Sequence, residues 1–408
     1  MRLGTKTVTL WLILGLLVFI AGLLAAPGTR PTGRSSAHKS SVGAARRKPS
    51  TGSVQKAKTP AKPNVVAGKR KPVRKARRRR VYYSPWTEPT YADSTIGDSV
   101  DGEELTVRRA AVAALGPYNG SVVAVDPNTG RVLSIVNQRL ALSSGFQPCS
   151  TVKIPVALAA LMEGIIDRDT MLRVYRRKRL NLTEALAQSD NPFFASLGVK
   201  LGFQRVSYYA RLFGLGERAG LNIDGEHPGY FPETPPPSVG ILTSFGEGIQ
   251  LTPLQLAAML SGIANGGTLY YLQYPRSHEE AGSFVPRVKR RLDLRPWIPE
   301  ITPGLAAAVE HGTAKRANYD PGEPIFGKTG TCTEDRKHLG WFGSFNEVGR
   351  NKLVVVVLLT GGRGVSGSTA AEIAGNVYKR LSEENYFASS RPFSPAALVS
   401  TQSCCSQQ

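Results

Sequence analysis

The chain has 408 residues, with 52 Lys and Arg against 30 Asp and Glu, for a formal net charge of +22. Residues 1–80 hold twenty of the basic residues and no acidic one, which leaves +2 for everything from Val81 onward. A nearly neutral body excludes reading the high isoelectric point as a nucleic-acid surface of the folded part, and no nucleic-acid partner is expected.

Residues 8–26 form a nineteen-residue run without charge, preceded by Arg2 and Lys6, long enough to span a bilayer. Residues 1–26 are read as an uncleaved signal anchor, because Leu24-Ala25-Ala26-Pro27 is a poor cleavage site; a cleaved signal and a buried helix are the alternatives. Residues 27–80 are Pro, Gly, Ser, Ala, Lys and Arg with almost no large apolar side chain. Such a stretch cannot bury a core and is expected to be a disordered, self-repelling linker. Its run Arg77-Arg78-Arg79-Arg80 could adsorb to anionic lipid or acidic wall polymers; the plainer reading is a solvated tether.

Residues 81–106 read as a connecting segment, rich in Tyr, Pro, Ser and Asp up to Gly102. Helical spacing begins near Glu103, with Leu105, Val107, Ala110, Ala111, Ala113 and Leu115 on an apolar face. Two short β-rich runs, 121–125 and 132–136, flank the turn signal Asp126-Pro127-Asn128-Thr129-Gly130 and predict a hairpin. From Val152 to Met162 the chain is almost wholly apolar, which predicts a buried helix ending at Gly164, with Pro155 tolerated in about its first turn. A mostly helical stretch follows over 180–215. Thr252 and Pro253 then open a capped helix that Gly266 closes. Residues 326–331, 339–345 and 353–359 are β-like, and 370–381 is an amphipathic helix. Residues 386–408 are expected to be a disordered tail.

Three short words lie in order along this body: Ser150-Thr151-Val152-Lys153, Ser189-Asp190-Asn191 and Lys328-Thr329-Gly330-Thr331. A Ser-x-x-Lys occurs by chance about once or twice in a chain of this length. Two decoys, Ser36 to Lys39 and Ser53 to Lys56, lie in the linker. Only the copy at Ser150 opens a buried helix, where residues three apart share a face and an amine sits beside a hydroxyl.

The ordered trio resembles the penicillin-binding protein transpeptidase family, within the serine D,D-peptidase and β-lactamase superfamily. The Asp126 to Gly130 turn, the Ser244-Phe245-Gly246-Glu247-Gly248 segment and Thr252-Pro253-Leu254-Gln255-Leu256 resemble it too. The resemblance implies an α+β, α-β-α layered fold over 107–385: an antiparallel five-stranded sheet flanked by helices, with an all-helical lobe. Only thirty-eight residues separate Ser150 from Ser189, fewer than is usual there, so a trimmed lobe is expected. Position 149 is Cys where the family often has Gly.

What the resemblance implies for chemistry is an acyl-enzyme on Ser150. Lys153 would act as its base once neutral, Ser189 as a proton relay, and Asn191 as a group orienting Lys153 or the substrate. Lys328 would hold Ser189 and attract a substrate carboxylate, and Thr329, Gly330 and Thr331 would bind it along a strand edge. The oxyanion hole would be the backbone N–H groups of Ser150 and Thr331. Cys149 and Cys332 flank the first and third words; serine carbapenemases of class A carry a disulfide at the corresponding positions, so the likeness implies a bond here. Two small buried thiols that stay reduced are the alternative. No metal or other cofactor is expected, since the five His residues show no metal-binding spacing.

The implied partners are peptidoglycan stem peptides and β-lactams. The implied location is the periplasmic side of the bacterial inner membrane, on a single-pass anchor. Charge bias opposes that orientation, because Arg30, Arg34, Lys39, Arg46 and Arg47 outnumber the basic pair before the apolar run; the likeness to extracytoplasmic enzymes overrides it. A D,D-carboxypeptidase or β-lactamase is the competing hydrolytic reading, although no Glu-x-x-Leu-Asn word lies between Ser189 and Lys328. A non-catalytic penicillin-binding sensor or scaffold is the remaining one.

Overall fold

An antiparallel sheet of five strands organises the body: β1 (Gly120–Val125), β2 (Val132–Val136), β3 (Ile325–Glu334), β4 (Lys337–Asn346) and β5 (Val354–Gly361). Their spatial order is β2-β1-β5-β4-β3, so β3, which carries the Lys-Thr-Gly word, lies at one edge. The structure, a computed structural model, describes residues 85–388 apart from Asn222 and Arg350. The expected anchor, the linker and all but the first residues of the expected tail lie outside the described residues. Among those described, no helix is long and apolar enough to cross a membrane.

Period-two burial explains why β5 is a continuous apolar run rather than an alternating one. Val354, Val356 and Leu358 enter the core beneath the helical lobe, while Val355, Val357 and Leu359 enter the core on the opposite face. A strand in the middle of a sheet covered on both sides has no solvent face. The second core is closed by helices α1 (Leu105–Leu115) and α8 (Gly367–Glu383) through Val107, Ala111, Ile373, Val377 and Tyr378. The resulting layers and antiparallel sheet agree with the fold expected from the sequence.

The lobe contains α2 (Lys153–Met162), α3 (Leu182–Gln188), α4 (Asn191–Leu212), α5 (Val239–Phe245), α6 (Pro253–Ala264) and α7 (Ile298–Glu310). Helix α6 begins on a capping box: Gln255 N donates to Thr252 Oγ1 at 3.1 Å and Thr252 N to Gln255 Oε1 at 2.9 Å. Caps of this kind contribute about 1 kcal/mol. Gly202 breaks α4 with φ 74°, in the left-handed region that glycine tolerates.

Helix α7 has no counterpart in the sequence reading, which Pro299 and Pro303 obscured. Proline is accepted in the first turn, but Pro303 cannot donate to the carbonyl four residues back. Arg168 Nη1 donates to that carbonyl, Pro299 O, at 3.4 Å.

Residues 85–104, read from sequence as a connector, pack on the body. Thr87 N donates to Arg336 O at 3.0 Å, and the rings of Trp86 and His338 are 4.1 Å apart. At the other end Phe387 is buried against Tyr378, their rings 6.4 Å apart.

Candidate active site

Ser150 does not lie on the α-helix that the apolar run suggested. It occupies a 3-10 turn, Cys149–Val152, which feeds directly into α2. In that tighter turn residues three apart eclipse one another, so Ser150 and Lys153 still share a face. Thr151 Oγ1 donates to Pro148 O at 2.7 Å and pins the turn at its entry. Cys149 has φ 51°, a left-handed conformation that ordinarily favours glycine.

Ser189 ends α3 in the left-handed conformation, with φ 55° and ψ 43°. Two residues later α4 begins with Asp190 as its N-cap, Oδ1 accepting from Phe193 N at 2.9 Å. The middle residue of the Ser-Asp-Asn word is thus engaged by the backbone, while its neighbours on either side face Lys153. Lys153 Nζ donates to Ser189 O at 2.6 Å, to Asn191 Oδ1 at 2.5 Å and to Ser189 Oγ at 3.1 Å. All three donors of the ammonium are directed to the second word.

The third word enters from the sheet edge. Lys328, Gly330 and Cys332 occupy alternate positions on β3 and present one face to the lobe and the Ser150 turn. Lys328 Nζ donates to Ser189 Oγ at 2.7 Å. A Cβ on Gly330 would lie 2.9 Å from Pro148 O and 3.3 Å from Cys149 Cβ, so only glycine permits this approach. Cys332 is joined to Cys149, the Cα atoms 5.6 Å apart.

The hydroxyls of Thr329 and Thr331 already have neighbours. Thr329 Oγ1 lies 2.7 Å from Thr313 Oγ1, and Thr331 Oγ1 accepts from Gly367 N at 2.8 Å. Thr331 is exposed at the strand edge and retains its own hydrogen to donate. Thr313 was not singled out from the sequence. It follows α7 and donates its own N–H to Ala187 O at 3.0 Å, bridging the lobe to the edge strand. Nothing in its spacing marks it. Trp341, also unremarked, donates Nε1 to Gln147 O at 3.0 Å, just before the Ser150 turn.

Both lysines are buried. Burial pushes the Lys153 ammonium down to about 7, against the opposing pull of the Asp190 carboxylate. Burial, and secondarily the charge on Lys153, holds Lys328 well below the lysine range. Two cationic groups converging on one hydroxyl, away from water, make a proton on either easy to lose.

A family model, the penicillin binding protein transpeptidase domain, matches residues 120–379, a span that includes all three words. The chain belongs to the penicillin-binding protein transpeptidase family. It is 29% identical over 309 residues to stage V sporulation protein D of Bacillus subtilis, covering 65% of this chain and 48% of that protein. To peptidoglycan D,D-transpeptidase FtsI of Escherichia coli it is 31% identical over 190 residues, covering 38% and 32%. To peptidoglycan D,D-transpeptidase PbpA of Mycobacterium tuberculosis it is 25% identical over 333 residues, covering 66% and 67%. The chain therefore spans half or less of the length of the first two relatives. The fold is shared with the crystal structure of the D,D-transpeptidase domain of a peptidoglycan glycosyltransferase from Eggerthella lenta, with a TM-score of 0.55 at 22% identity, over 69% of this chain and 81% of that one.

Proposed function

We propose that this protein is a peptidoglycan D,D-transpeptidase that works through an acyl-enzyme on Ser150 and is acylated there by β-lactams. The observation that carries this reading is the shared hydroxyl: Ser189 Oγ receives both Lys153 Nζ and Lys328 Nζ.

Ser189 O and Asn191 Oδ1 can only accept, so they retain the two hydrogens of a neutral Lys153. The third proton leaves, and the neutral amine so formed is the base for the Ser150 hydroxyl. Ser150 Oγ attacks the carbonyl carbon of the penultimate D-Ala, and its proton passes to Lys153. As the C–N bond breaks, the departing amine takes a proton from Ser189 Oγ, which Lys153 replenishes. An acceptor amine then attacks the ester, its proton follows the reverse path, and Ser150 leaves as the hydroxyl. The backbone N–H groups of Ser150 and Thr331 would hold the oxyanion; donors of this kind contribute about 3 to 4 kcal/mol each. Lys328 and the Thr329 and Thr331 hydroxyls would receive the substrate's terminal carboxylate.

The test is the time course of a fluorescent penicillin adduct on the full chain and on Ser150→Ala. A long-lived adduct absent from the variant supports the transpeptidase. Rapid loss of the adduct would point to a β-lactamase, and no adduct on either protein would end the acyl-enzyme reading. Anchoring by residues 1–26, with the described body on the periplasmic side, is part of the same proposal; accessibility of the body to protease in spheroplasts tests it.

A further inference from the structure

A short hairpin between α2 and α3 carries a cluster of cationic side chains that no acidic side chain pairs among the described residues. Its two strands, Leu172–Arg173 and Arg179–Leu180, pair in antiparallel register, Leu172 opposite Leu180 and Arg173 opposite Arg179. Leu180 is buried in the lobe, which places the paired arginines on the outer face. Between them lie Arg176, Arg177 and Lys178, so five of seven consecutive residues are cationic, and all five are exposed. None of the five forms an ion pair among the described residues. Like charges directly opposite in a ladder are destabilising, and a body with only a +2 excess had acidic residues available to relieve them. Local conflict of this kind marks a surface shaped for something other than its own stability.

The hairpin's position says what that is. Lys178 Nζ donates to Gln188 Oε1 at 2.7 Å, and Gln188 is the exposed residue immediately before Ser189. The cationic finger is thereby tethered one residue from the hydroxyl that both site lysines share. We propose that this hairpin is a docking surface for the free carboxylates on the acidic residues of a peptidoglycan stem peptide, held there while its neighbouring amide or amine occupies the site. The proposal rests on the transpeptidase reading and adds a substrate-selecting element to it. Arginine forks suit carboxylates bidentately, and a concentrated patch beside a cleft raises the local concentration of an anionic ligand. A phosphate-bearing wall polymer or an anionic membrane would be drawn to the same charges but would need no placement beside Ser189, so the position favours the substrate.

The experiment compares the full chain with a variant in which Arg173, Arg176, Arg177, Lys178 and Arg179 are all replaced by Gln, and with a control in which Arg77→Gln to Arg80→Gln alter the linker instead. The probes are a soluble stem pentapeptide with its acidic side chains free, and the same peptide with those side chains amidated and its terminal carboxylate kept. Each competes against acylation by fluorescent penicillin. The hairpin variant should be acylated at the wild-type rate, which shows that it folds. It should need about tenfold more of the acidic peptide to compete, with competition by the amidated peptide unchanged and the linker control matching wild type. The difference should vanish in high salt. Equal competition by the acidic peptide in all three proteins would overturn the proposal. So would loss of binding to anionic vesicles or to a phosphate polymer in the hairpin variant without loss of peptide competition. If penicillin acylates none of the proteins, the transpeptidase reading fails separately, and direct titration of the two peptides by calorimetry still decides whether the hairpin selects carboxylates.

Discussion

Lys328 on the sheet edge donates to Ser189 Oγ on the helical lobe across 2.7 Å, a hydrogen bond that joins the two halves of the domain at the site. Without the ammonium, Ser189 keeps only its contact to Lys153, and the expected carboxylate anchor disappears. Lys328→Met should slow acylation by fluorescent penicillin by about 10²- to 10³-fold while leaving the folded domain intact. Stopped-flow labelling measures the rate, and an unchanged rate would remove Lys328 from the chemistry.

The lowered pKa of Lys153 has a sign that can be tested. If the neutral amine is the base, as proposed, the acylation rate should rise with pH through about 7. The Asp190 carboxylate opposes the depression, so Asp190→Asn should move the midpoint to lower pH. Asn is as good an N-cap as Asp, so α4 should persist. A midpoint that stays in place, or moves up, would contradict the assignment of the base.

Folding should show the other side of the same depression. The native state gives up the Lys153 proton near 7 and the unfolded chain near 10.4, so between those values the unfolded state binds more protons. The penalty of burying the ammonium is fully present below about 7 and is lost as pH rises toward about 10.4. Urea titrations of wild type and Lys153→Met at a series of pH values should show the wild type gaining relative to the variant across that window.

Gly330 permits a close approach that no other residue allows. A Cβ there meets the carbonyl of Pro148 at 2.9 Å and Trp341 Cβ at 3.1 Å, both on rigid segments. Gly330→Ala should push β3 away from the Ser150 turn, lowering the proposed acylation rate about tenfold or more and stability by about 1 to 3 kcal/mol. Acylation and melting temperature together check this, and a variant indistinguishable from wild type would mean that the strand can shift freely.

Cys149 and Cys332 enclose a loop with a sequence separation of 183 residues. Mass spectrometry of a non-reduced digest should recover the two peptides as one species. Replacing both by Ala should cost about 2 to 5 kcal/mol under oxidising conditions and nothing under reducing ones. Free Cys149 thiol in protein from an oxidising compartment would exclude the bond.

Much of the fold was legible because local signals agreed with the tertiary outcome. The turn at Asp126 to Gly130, the Thr252 N-cap and the apolar run of β5 each carry their own physical cause in adjacent residues. The site was legible for a different reason, since Lys153, Ser189, Asn191 and Lys328 belong to short words whose meeting the structure displays. What stayed hidden depends on distant atoms. Pro303 reads as a helix breaker until Arg168 is seen on the carbonyl it leaves open, and Thr313 means nothing until Thr329 stands beside it. That the turn at Ser150 is 3-10 rather than α-helical, with Cys149 left-handed, is likewise invisible in an apolar pattern that suits both helices.

The chain enters the described body at an informative point. The Trp86 ring packs at a tilt against His338, while the Thr87 hydroxyl donates to the carbonyls of Asp335 and Arg336, in the turn that joins β3 to β4. The first described residues are therefore fastened to the hairpin whose outer strand carries Lys328. Any change that loosens Trp86 or Thr87 therefore acts on the hairpin that carries Lys328, and the bond from Cys332 to Cys149 ties the same strand to the turn that holds Ser150.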